Sequence, residues 1–249
     1  MKFVKYLLIL AVCCVLLGAG SIFGLYKYIE PQLPDVATLK DVRLQIPMQV
    51  YSADGELIAQ YGEKRRIPVT LQLIPPELVK AFIATEDSRF YEHHGVDPVG
   101  IFRAASVAMF SGHASQGAST ITQQLAKQLY SPGAGNIIER AFQKPIEWVI
   151  AVKLERMYSK EEIIAMYLNQ FDFLNNAVGI KSASHVYFNS PADKLNIQEA
   201  ATLVGMCKNP SYFNPLRYNE RSSSRRNVVL DQMRKAGFLT ENESDSIKK

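Results

Sequence analysis

Two adjacent carboxylates, a cation and two histidines fall within EDSRFYEHHGVD, residues 86–97. The carboxylates of Glu86 and Asp87 are of the type that exchanges a proton in general acid–base catalysis. His93 and His94 could instead suggest a metal site. However, adjacent residues do not share a helix face, and no second set of His, Cys or carboxylate residues has the spacing of a zinc site. A solvated loop would also explain an isolated acid, so the rest of the chain is needed to identify the chemistry.

Polar residues recur further along the chain at positions where no structural role requires them. Carboxylates, amides and cations without metal-ligand spacing are typical of acid–base chemistry on a sugar or a phosphate substrate. The residues concerned are Gln123, Gln124, Lys127, Glu147, Asn169, Asn175 and Asn176. Taken alone, each of them could also be an ordinary surface side chain or a charge at a helix start.

The opening stretch connects two predicted helices. PPELVKAFIATE places its apolar residues on one helical face after Pro76, and this helix ends at Glu86. Asp97 followed by Pro98 is typical of an N-cap and a first helical residue, which predicts a second helix from Pro98 onward. Glu86 is therefore expected at a helix end, at the start of a structured link.

The remaining patterns predict a mainly α fold from about residue 75, with a small β element ahead of it. Asp54-Gly55 between two β-prone runs predicts a hairpin. Pro145 is predicted at or near the first position of a helix, and Gly237 is predicted to end a long one. Capping boxes are predicted at Thr120 with Gln123, at Ser159 with Glu162 and at Thr240 with Glu243.

The N-terminal residues have the composition of a membrane anchor. Residues 6–26 carry no charge over a length that can cross a bilayer, and aromatic residues lie near both ends. Lys2 and Lys5 precede the run, so the positive-inside rule predicts that the remainder of the chain is extracytoplasmic. A cleaved signal peptide is the alternative. The predicted organisation is a cytoplasmic tail over 1–5, an anchor over 6–26, a linker over 27–48, a domain over 49–240 and, over 241–249, the start of a further segment of a longer protein.

Charge and cysteine content exclude several classes of protein. A net charge of +4 is mild and gives no reason to expect nucleic acid as a partner. Cys13 and Cys14 lie within the apolar run, which leaves Cys207 outside it. Neither a disulfide framework nor a cysteine-based zinc site is therefore expected.

EDSRFYEHHGVD resembles the first motif of the peptidoglycan glycosyltransferases, the lysozyme-like domain of class A penicillin-binding proteins and of monofunctional transglycosylases. That motif runs E-D-x-x-F-x-x-H-x-G-x-D. Every fixed position is present here, at Glu86, Asp87, Phe90, His93, Gly95 and Asp97. The resemblance to this family therefore begins with the residues that first suggested acid–base chemistry.

Four further motifs of the family follow in order, so the resemblance covers about residues 50–240. The segments of this chain that resemble them are GASTITQQLAK, QKPIEW, SKEEIIAMYLNQF with AVGIKSASHVYF, and EAATLVGMCKNPSYFNP. The chain departs from the family pattern in three places: Gln143 stands where Arg is usual, Leu174 where Gly is common, and YFNS at residues 187–190 where YFGK is usual. No S-x-N or K-T-G motif follows, so a transpeptidase domain is not expected within this chain.

The resemblance implies a lysozyme-like domain that polymerises lipid II. In that reaction the 4-hydroxyl of the acceptor sugar attacks the anomeric carbon of a glycan chain carried on undecaprenyl pyrophosphate, and the configuration inverts as the lipid pyrophosphate leaves. Glu86 corresponds to the base that takes the hydroxyl proton. Glu147 corresponds to a second carboxylate that positions the donor or a divalent cation beside its pyrophosphate. If Pro145 begins a helix, Glu147 lies in the first turn, where the helix dipole favours negative charge.

The resemblance also implies which residues bind substrate and which shape the site. Cations and hydrogen-bond donors must meet the charge that develops on a diphosphate leaving group. The expected substrate-binding residues are the cations Lys127, Arg140 and Lys144, the donors Ser119, Thr120, Gln123 and Gln124, and also Asp87 and Asn169. Phe90, His93, Gly95 and Asp97 are expected to shape the loop that holds Glu86. No tightly bound cofactor is expected, although Mg²⁺ or Mn²⁺ could accompany the substrate with Glu147 as a ligand.

The expected partners are lipid II, the growing glycan chain, the membrane and other proteins of cell-wall synthesis. The expected location is the bacterial cytoplasmic membrane, crossed once, with the catalytic domain on the outer side.

Residues 102–116 include the apolar side chains of Phe102, Val107, Met109 and Phe110. These could belong to an ordinary core or, as the family implies, to a surface that enters the membrane interface.

The sequence is also compatible with two other functions. A lysozyme-like domain with a single strong acid could hydrolyse glycan, although a hydrolase has no need of cations for pyrophosphate. A tethered scaffold or binding module with a weakened site is the second alternative. The retained Glu86, Lys127 and Glu147 oppose it, whereas Gln143 and Asn189 favour it.

Overall fold

The computed structural model describes residues 48–61, 69–111, 119–130 and 137–248, together with residues 6, 20, 24, 27, 28 and 30–34. The predicted cytoplasmic tail and most of the predicted anchor and linker lie outside the described residues. Among the residues that are described, no helix combines the length and the apolar character needed to cross a bilayer. A short 3₁₀ helix at Glu30–Gln32 belongs to the predicted linker.

A two-stranded hairpin precedes the helices, as predicted. β1 (Met48–Tyr51) pairs antiparallel with β2 (Leu57–Tyr61), with an irregularity in the register between Val50 and Tyr51. The turn that joins the strands contains Gly55 at φ +87°, a left-handed conformation that glycine adopts at little cost. The Asp54-Gly55 signal therefore identified the turn.

The described remainder is mainly helical, which confirms the predicted fold class at that level. The helices are α1 (Pro76–Glu86), α2 (Pro98–Ser111), α3 (Ile121–Tyr130), α4 (Ile137–Met157), α5 (Lys160–Gln170), α6 (Ile180–Phe188), α7 (Ile197–Met206), α8 (Asn219–Lys235) and α9 (Glu241–Lys248). Short 3₁₀ helices lie at Leu71–Leu73 and Ala192–Lys194.

Local capping signals explain several of these helix starts. The capping box of Ser159 and Glu162 is complete, and it begins α5 as predicted. Thr240 and Glu243 exchange the predicted capping hydrogen bonds before α9. A further box, Asn196 with Glu199, begins α7. Gly237, at φ +77°, follows the end of α8.

One hydrophobic core joins α1 to the helices that surround it. α1 packs against α7 and α8, α7 packs against α8, and α3 packs against α4 and α5. The rings of Phe82 and Tyr167, with centres 4.7 Å apart, connect α1 with α5. Leu78, Phe82, Leu125 and Leu154 are fully buried, and each such side chain contributes about 1.5–3 kcal/mol. The end of α1, where Glu86 lies, is therefore held on several sides.

The predicted start of α4 is wrong. Pro145 lies inside this helix, which begins at Ile137. A proline in a helix interior lacks one N–H and normally breaks or kinks the helix, which is why the sequence favoured a start there. Ile146 and Ile150 pack on the core and support the helix on the C-terminal side of the proline. Glu147 is therefore not in the first turn, and the predicted stabilisation of its negative charge by the helix dipole is absent.

Candidate active site

Glu86 is the last residue of α1, at the point where the chain leaves the helix. Asp87 has φ −160° and ψ 77°, which ends the helical geometry, while its N–H still donates to the Ile83 carbonyl at 3.0 Å. The Glu86 side chain is 14% exposed. This position holds the carboxylate at the surface of the domain while its helix is anchored in the core.

The Glu86 carboxylate is oriented by a short chain of hydrogen bonds. Gln124 Nε2 donates to Glu86 Oε2 at 2.9 Å, and Tyr167 Oη donates to Gln124 Oε1 at 3.0 Å. Burial raises the pKa of Tyr167 well above its ordinary value, so its hydroxyl keeps the proton that it donates. Because that donor must meet the carbonyl oxygen of Gln124, the Gln124 NH₂ group faces Glu86.

Arg225 on α8 places a cation beside the other carboxylate oxygen. Its Nη2 lies 3.9 Å from Glu86 Oε1, and the two side chains are 12% and 14% exposed. Burial lowers the pKa of Arg225, although the neighbouring Glu86 and Cys207 act to raise it. Arg225 is not among the site residues predicted from the sequence. Arg225 stands four positions before the buried Val229, so a cation on an apolar helix face was the available signal.

Asp87 connects the first motif to the start of α3 rather than facing solvent. His93 Nε2 lies 3.0 and 3.1 Å from its two oxygens, and the Ile121 N–H donates to Asp87 Oδ2 at 3.1 Å. Asp87 and His93 are both buried. Asp87 was predicted to bind substrate, but its carboxylate is occupied by these internal partners. It also lines one of the cavities beside Glu86, so its role in substrate binding stays a prediction.

Thr120 and Gln123 hold the same loop from the side of α3. The Gly95 carbonyl accepts from Thr120 Oγ1 at 2.6 Å and from Gln123 Nε2 at 3.2 Å. The Gln123 N–H donates to Thr120 Oγ1 at 3.2 Å, which is the first half of the predicted capping box. The Gln123 side chain donates to Gly95. Both residues are buried, and the hydrogen-bond donors of their side chains are directed at the loop around Gly95.

The other loop-shaping residues are fixed by charged side chains. Arg89 Nη2 donates to Asp97 Oδ1 at 2.5 Å. The Lys160 ammonium lies 4.3 Å from the centre of the buried Phe90 ring and donates to the His93 carbonyl at 2.7 Å. These contacts involve a histidine without forming a metal site. Within the part of the chain that the structure describes, no group of three or more His, Cys, Asp or Glu residues could hold a metal ion.

Ser119, Lys144 and Glu147 form a second polar group between the start of α3 and α4. Lys144 Nζ donates to Ser119 Oγ at 3.0 Å and lies 2.9 Å from Glu147 Oε2. Glu147 is buried, whereas the Lys144 side chain is 46% exposed. A buried carboxylate beside a half-exposed cation leaves that cation able to meet an anionic ligand.

The remaining predicted binding residues differ in position. Lys127 is exposed on the last turn of α3. The side chain of Arg140 lies outside the described residues. Asn169 is not brought to Glu86, because its side chain accepts from the Val69 N–H at 2.9 Å and donates to the Val69 carbonyl at 2.8 Å. Its amide is therefore committed to the segment that leads into α1.

Two cavities, of about 410 and 390 Å³, adjoin at Glu86. Both are lined by Thr85, Glu86, Ser119 and Gln232. The first cavity adds the cations Arg89, Arg103 and Lys235, and the second adds Gln124, Lys208 and Arg225. The first cavity is also lined by Asp87 and Asp97, so its charges are mixed, whereas Glu86 is the one acid among the described residues that line the second. The Glu86 carboxylate is thus reached from two polar cavities, and only part of their lining is predicted from the sequence.

The apolar residues of α2 do not belong to the core. Phe102 is 75% exposed, Met109 is 80% exposed and Phe110 is 88% exposed, and Val107 is also exposed. The interpretation of these residues as ordinary core is therefore wrong. A helix that carries large apolar side chains into solvent is typical of a surface that meets a membrane or another protein.

The comparisons with known proteins agree with these features. The family described as Transglycosylase matches residues 54–234. Penicillin-binding protein 1A of Escherichia coli (strain K12) is 65% identical over 247 residues, which cover 98% of this chain and 28% of that protein. Penicillin-binding protein 1A of Vibrio cholerae is 48% identical over 246 residues, which cover 99% of this chain and 29% of that protein.

A solved structure of penicillin-binding protein 1A from Haemophilus influenzae matches with a TM-score of 0.47 and 29% identity, over 84% of this chain and 21% of that chain. The chain spans only 28% and 29% of the length of the two curated relatives above. The family match itself covers well over half of the residues. This chain belongs to the transglycosylase family.

Proposed function

We propose that this chain is a membrane-anchored peptidoglycan glycosyltransferase that polymerises lipid II into glycan strands. The 4-hydroxyl oxygen of the acceptor sugar forms a bond to the donor's anomeric carbon as the bond from that carbon to the pyrophosphate breaks. Undecaprenyl pyrophosphate leaves with the bonding electrons, and the configuration inverts in this single displacement. We further propose that the helical domain has the lysozyme-like arrangement of its family.

The observation that carries this proposal is the position of Glu86 between two cavities. A polymerase must hold a donor and an acceptor sugar at once, one on each side of the base, whereas a hydrolase needs a single glycan and a water molecule. Glu86 faces both cavities and has one oxygen already anchored by Gln124. We assign Glu86 as the general base for the acceptor hydroxyl.

The group around Lys144 is the proposed site for the leaving pyrophosphate. Lys144 and the exposed Lys127 would meet the developing negative charge, with Arg140 as a third cation and Ser119 as a donor. Glu147 would orient Lys144 through the ion pair at 2.9 Å. If the reaction uses a divalent cation, the Glu147 carboxylate would hold it, because a hard oxygen ligand suits Mg²⁺ or Mn²⁺, and the ion would offset negative charge on the pyrophosphate.

The exposed apolar face of α2 supports a location at a membrane. Its aromatic and thioether side chains would enter the interface and bring the cavities to the lipid-linked substrate. We propose that the chain crosses the bacterial cytoplasmic membrane once, through residues 6–26, with the catalytic domain on the outer side. Other proteins of cell-wall synthesis are its proposed protein partners.

Polymerisation of lipid II by the full chain, compared with that by Glu86→Gln, tests the function. We expect glycan strands from the wild type and a fall in rate of about 10³-fold or more in the variant, because the amide cannot accept the hydroxyl proton. Release of fragments from finished glycan, without polymerisation, would instead identify a hydrolase. Lipid II binding without turnover by either protein would identify a scaffold.

A further inference from the structure

The two oxygens of the Glu86 carboxylate have different surroundings. Oε2 accepts from Gln124 at 2.9 Å, and Tyr167 fixes the orientation of that amide. Oε1 instead faces the Arg225 guanidinium at 3.9 Å. That distance is too long for a hydrogen bond but short enough for a strong interaction between charges across a partly buried site. Oε1 thus keeps its lone pairs for an incoming proton.

The Arg225 side chain is held in this place by its neighbours. Gly205 on α7 lies against this side chain, because an added Cβ there would lie 3.0 Å from Arg225 Cγ. On another side, Arg225 Cζ lies 5.8 Å from the centre of the Phe213 ring. The buried Nε of Arg225 has no hydrogen-bond partner among the described residues. The stem of Arg225 is therefore fixed by packing, and its charge is directed at Glu86.

We propose that Arg225 is a positioning residue for this reaction: its guanidinium holds Glu86 Oε1 through charge alone, so that Oε1, and not the anchored Oε2, takes the proton of the acceptor hydroxyl. This inference rests on the proposed function of Glu86 as the base. Proton transfer to Oε1 accompanies formation of the bond between the acceptor oxygen and the anomeric carbon, and pyrophosphate leaves with its electron pair. Gly205 contributes by leaving room for the Arg225 stem.

Steady-state kinetics of lipid II polymerisation by the full chain test this assignment. In Arg225→Met, which keeps a stem of similar length without charge, we expect kcat to fall about 10–100-fold while KM changes less than about 3-fold. In Arg225→Lys, which restores a cation, we expect kcat to recover to within about 5-fold of the wild type. Arg226→Met is the matched control, because Arg226 contacts Asn227 and Lys248 instead of Glu86, and its kcat should be unchanged.

Gly205→Ala provides a second route to the same contact. We expect kcat to fall several-fold in the wild-type background and to stay the same when this change is added to Arg225→Met. An equal loss in both backgrounds would mean that Gly205 acts through folding, and it would overturn its part of the proposal. Binding of lipid II to Arg225→Met is measured as a control. Retained binding would show that the site is formed, so that a lower kcat in this variant reflects lost positioning of Glu86 and not lost folding.

The outcomes separate this inference from the proposed function. An inactive wild type, or full activity in Glu86→Gln, would overturn both. An active wild type with an inactive Glu86→Gln and a normal kcat in Arg225→Met would leave the function intact and overturn the role of Arg225. Equal kcat values in Arg225→Lys and Arg225→Met, both below the wild type, would also overturn it, because a purely packing role gives no rescue by charge.

Discussion

Gly95 lies against the backbone of Ala151 on α4, and no side chain larger than hydrogen fits between them. An added Cβ at Gly95 would be 2.7 Å from the Ala151 carbonyl carbon and 2.8 Å from its oxygen. Gly95 also has φ +89°, a conformation that other residues rarely adopt. The loop that follows Glu86 therefore rests directly on α4.

Replacing Gly95 by Ala is expected to lower the free energy of unfolding by about 2–4 kcal/mol, because left-handed strain adds to overpacking against α4. Gly55→Ala is the matched control, since Gly55 has φ +87° with no atom within 4 Å of an added Cβ. Gly55→Ala should lower the free energy of unfolding only by the left-handed strain, about 1–2 kcal/mol. Urea denaturation of both variants measures the difference, and equal losses would contradict a close approach to Ala151.

Replacing Leu174 by Gly is expected to stabilise the protein relative to Leu174→Ala by about 1 kcal/mol. Leu174 has φ +66°, where Ala keeps the left-handed strain and Gly relieves it. Both changes remove the same half-buried side chain, so the comparison isolates the backbone. Thermal unfolding of the two variants provides the measurement. A more stable Leu174→Ala would show that this turn carries no strain.

The contribution of Asp97 to stability should depend on pH. Burial raises the pKa of Asp97, but the Gly100 N–H and the Arg89 guanidinium outweigh it, and the net pKa lies below the ordinary value. A carboxyl group with a lowered pKa in the folded state stabilises the protein above its unfolded-state pKa of about 3.9, and this contribution is lost as pH falls through the folded-state value.

Asp97→Asn should therefore differ from the wild type in unfolding free energy by an amount that is constant at neutral pH and shrinks below about pH 4. Urea denaturation at a series of pH values between neutrality and pH 3 measures this difference. A difference in unfolding free energy that stays constant over the whole pH series would show that the charge of Asp97 does not contribute to the stability of the loop.

The apolar face of α2 can be located with a single tryptophan. Trp148 is the only tryptophan of the chain, so Phe110→Trp in a Trp148→Phe background reports from α2 alone. In vesicles that contain brominated lipid we expect strong quenching of its fluorescence, because Phe110 is 88% exposed on an apolar face. Val186→Trp in the same background, on α6, is the control and should be quenched weakly. Equal quenching would contradict a membrane role for α2.

Local signals predicted most of the helix starts, because capping chemistry acts within a few residues. Pro98 and the box at Ser159 are examples, and both helices begin where those residues place them. Pro145 was misjudged because tolerance of a proline inside a helix depends on packing that a local pattern does not contain. The motifs predict Glu86 and Gln124 as site residues but contain no information on their orientation, which Tyr167 sets from another helix.

Contacts between distant parts of the chain were the hardest to predict. Arg225 reaches Glu86 from α8, and nothing near either residue specifies the pairing. Asn169 is expected at the substrate site, and the sequence alone does not distinguish an exposed amide from a buried one. The hydrogen-bond partner of Asn169 is the peptide group of Val69. Because most residues have the same peptide group, the sequence does not indicate which one is the partner.

The pairing of Asn169 with Val69 also bears on how the chain folds during its synthesis. The two residues are 100 positions apart, so the segment that leads into α1 cannot be fastened until α5 has emerged from the ribosome. Contacts of such sequence separation form late and slow the overall folding rate. The helix that presents Glu86 is thus among the earliest made, yet its entry segment is secured only after most of the domain has been translated.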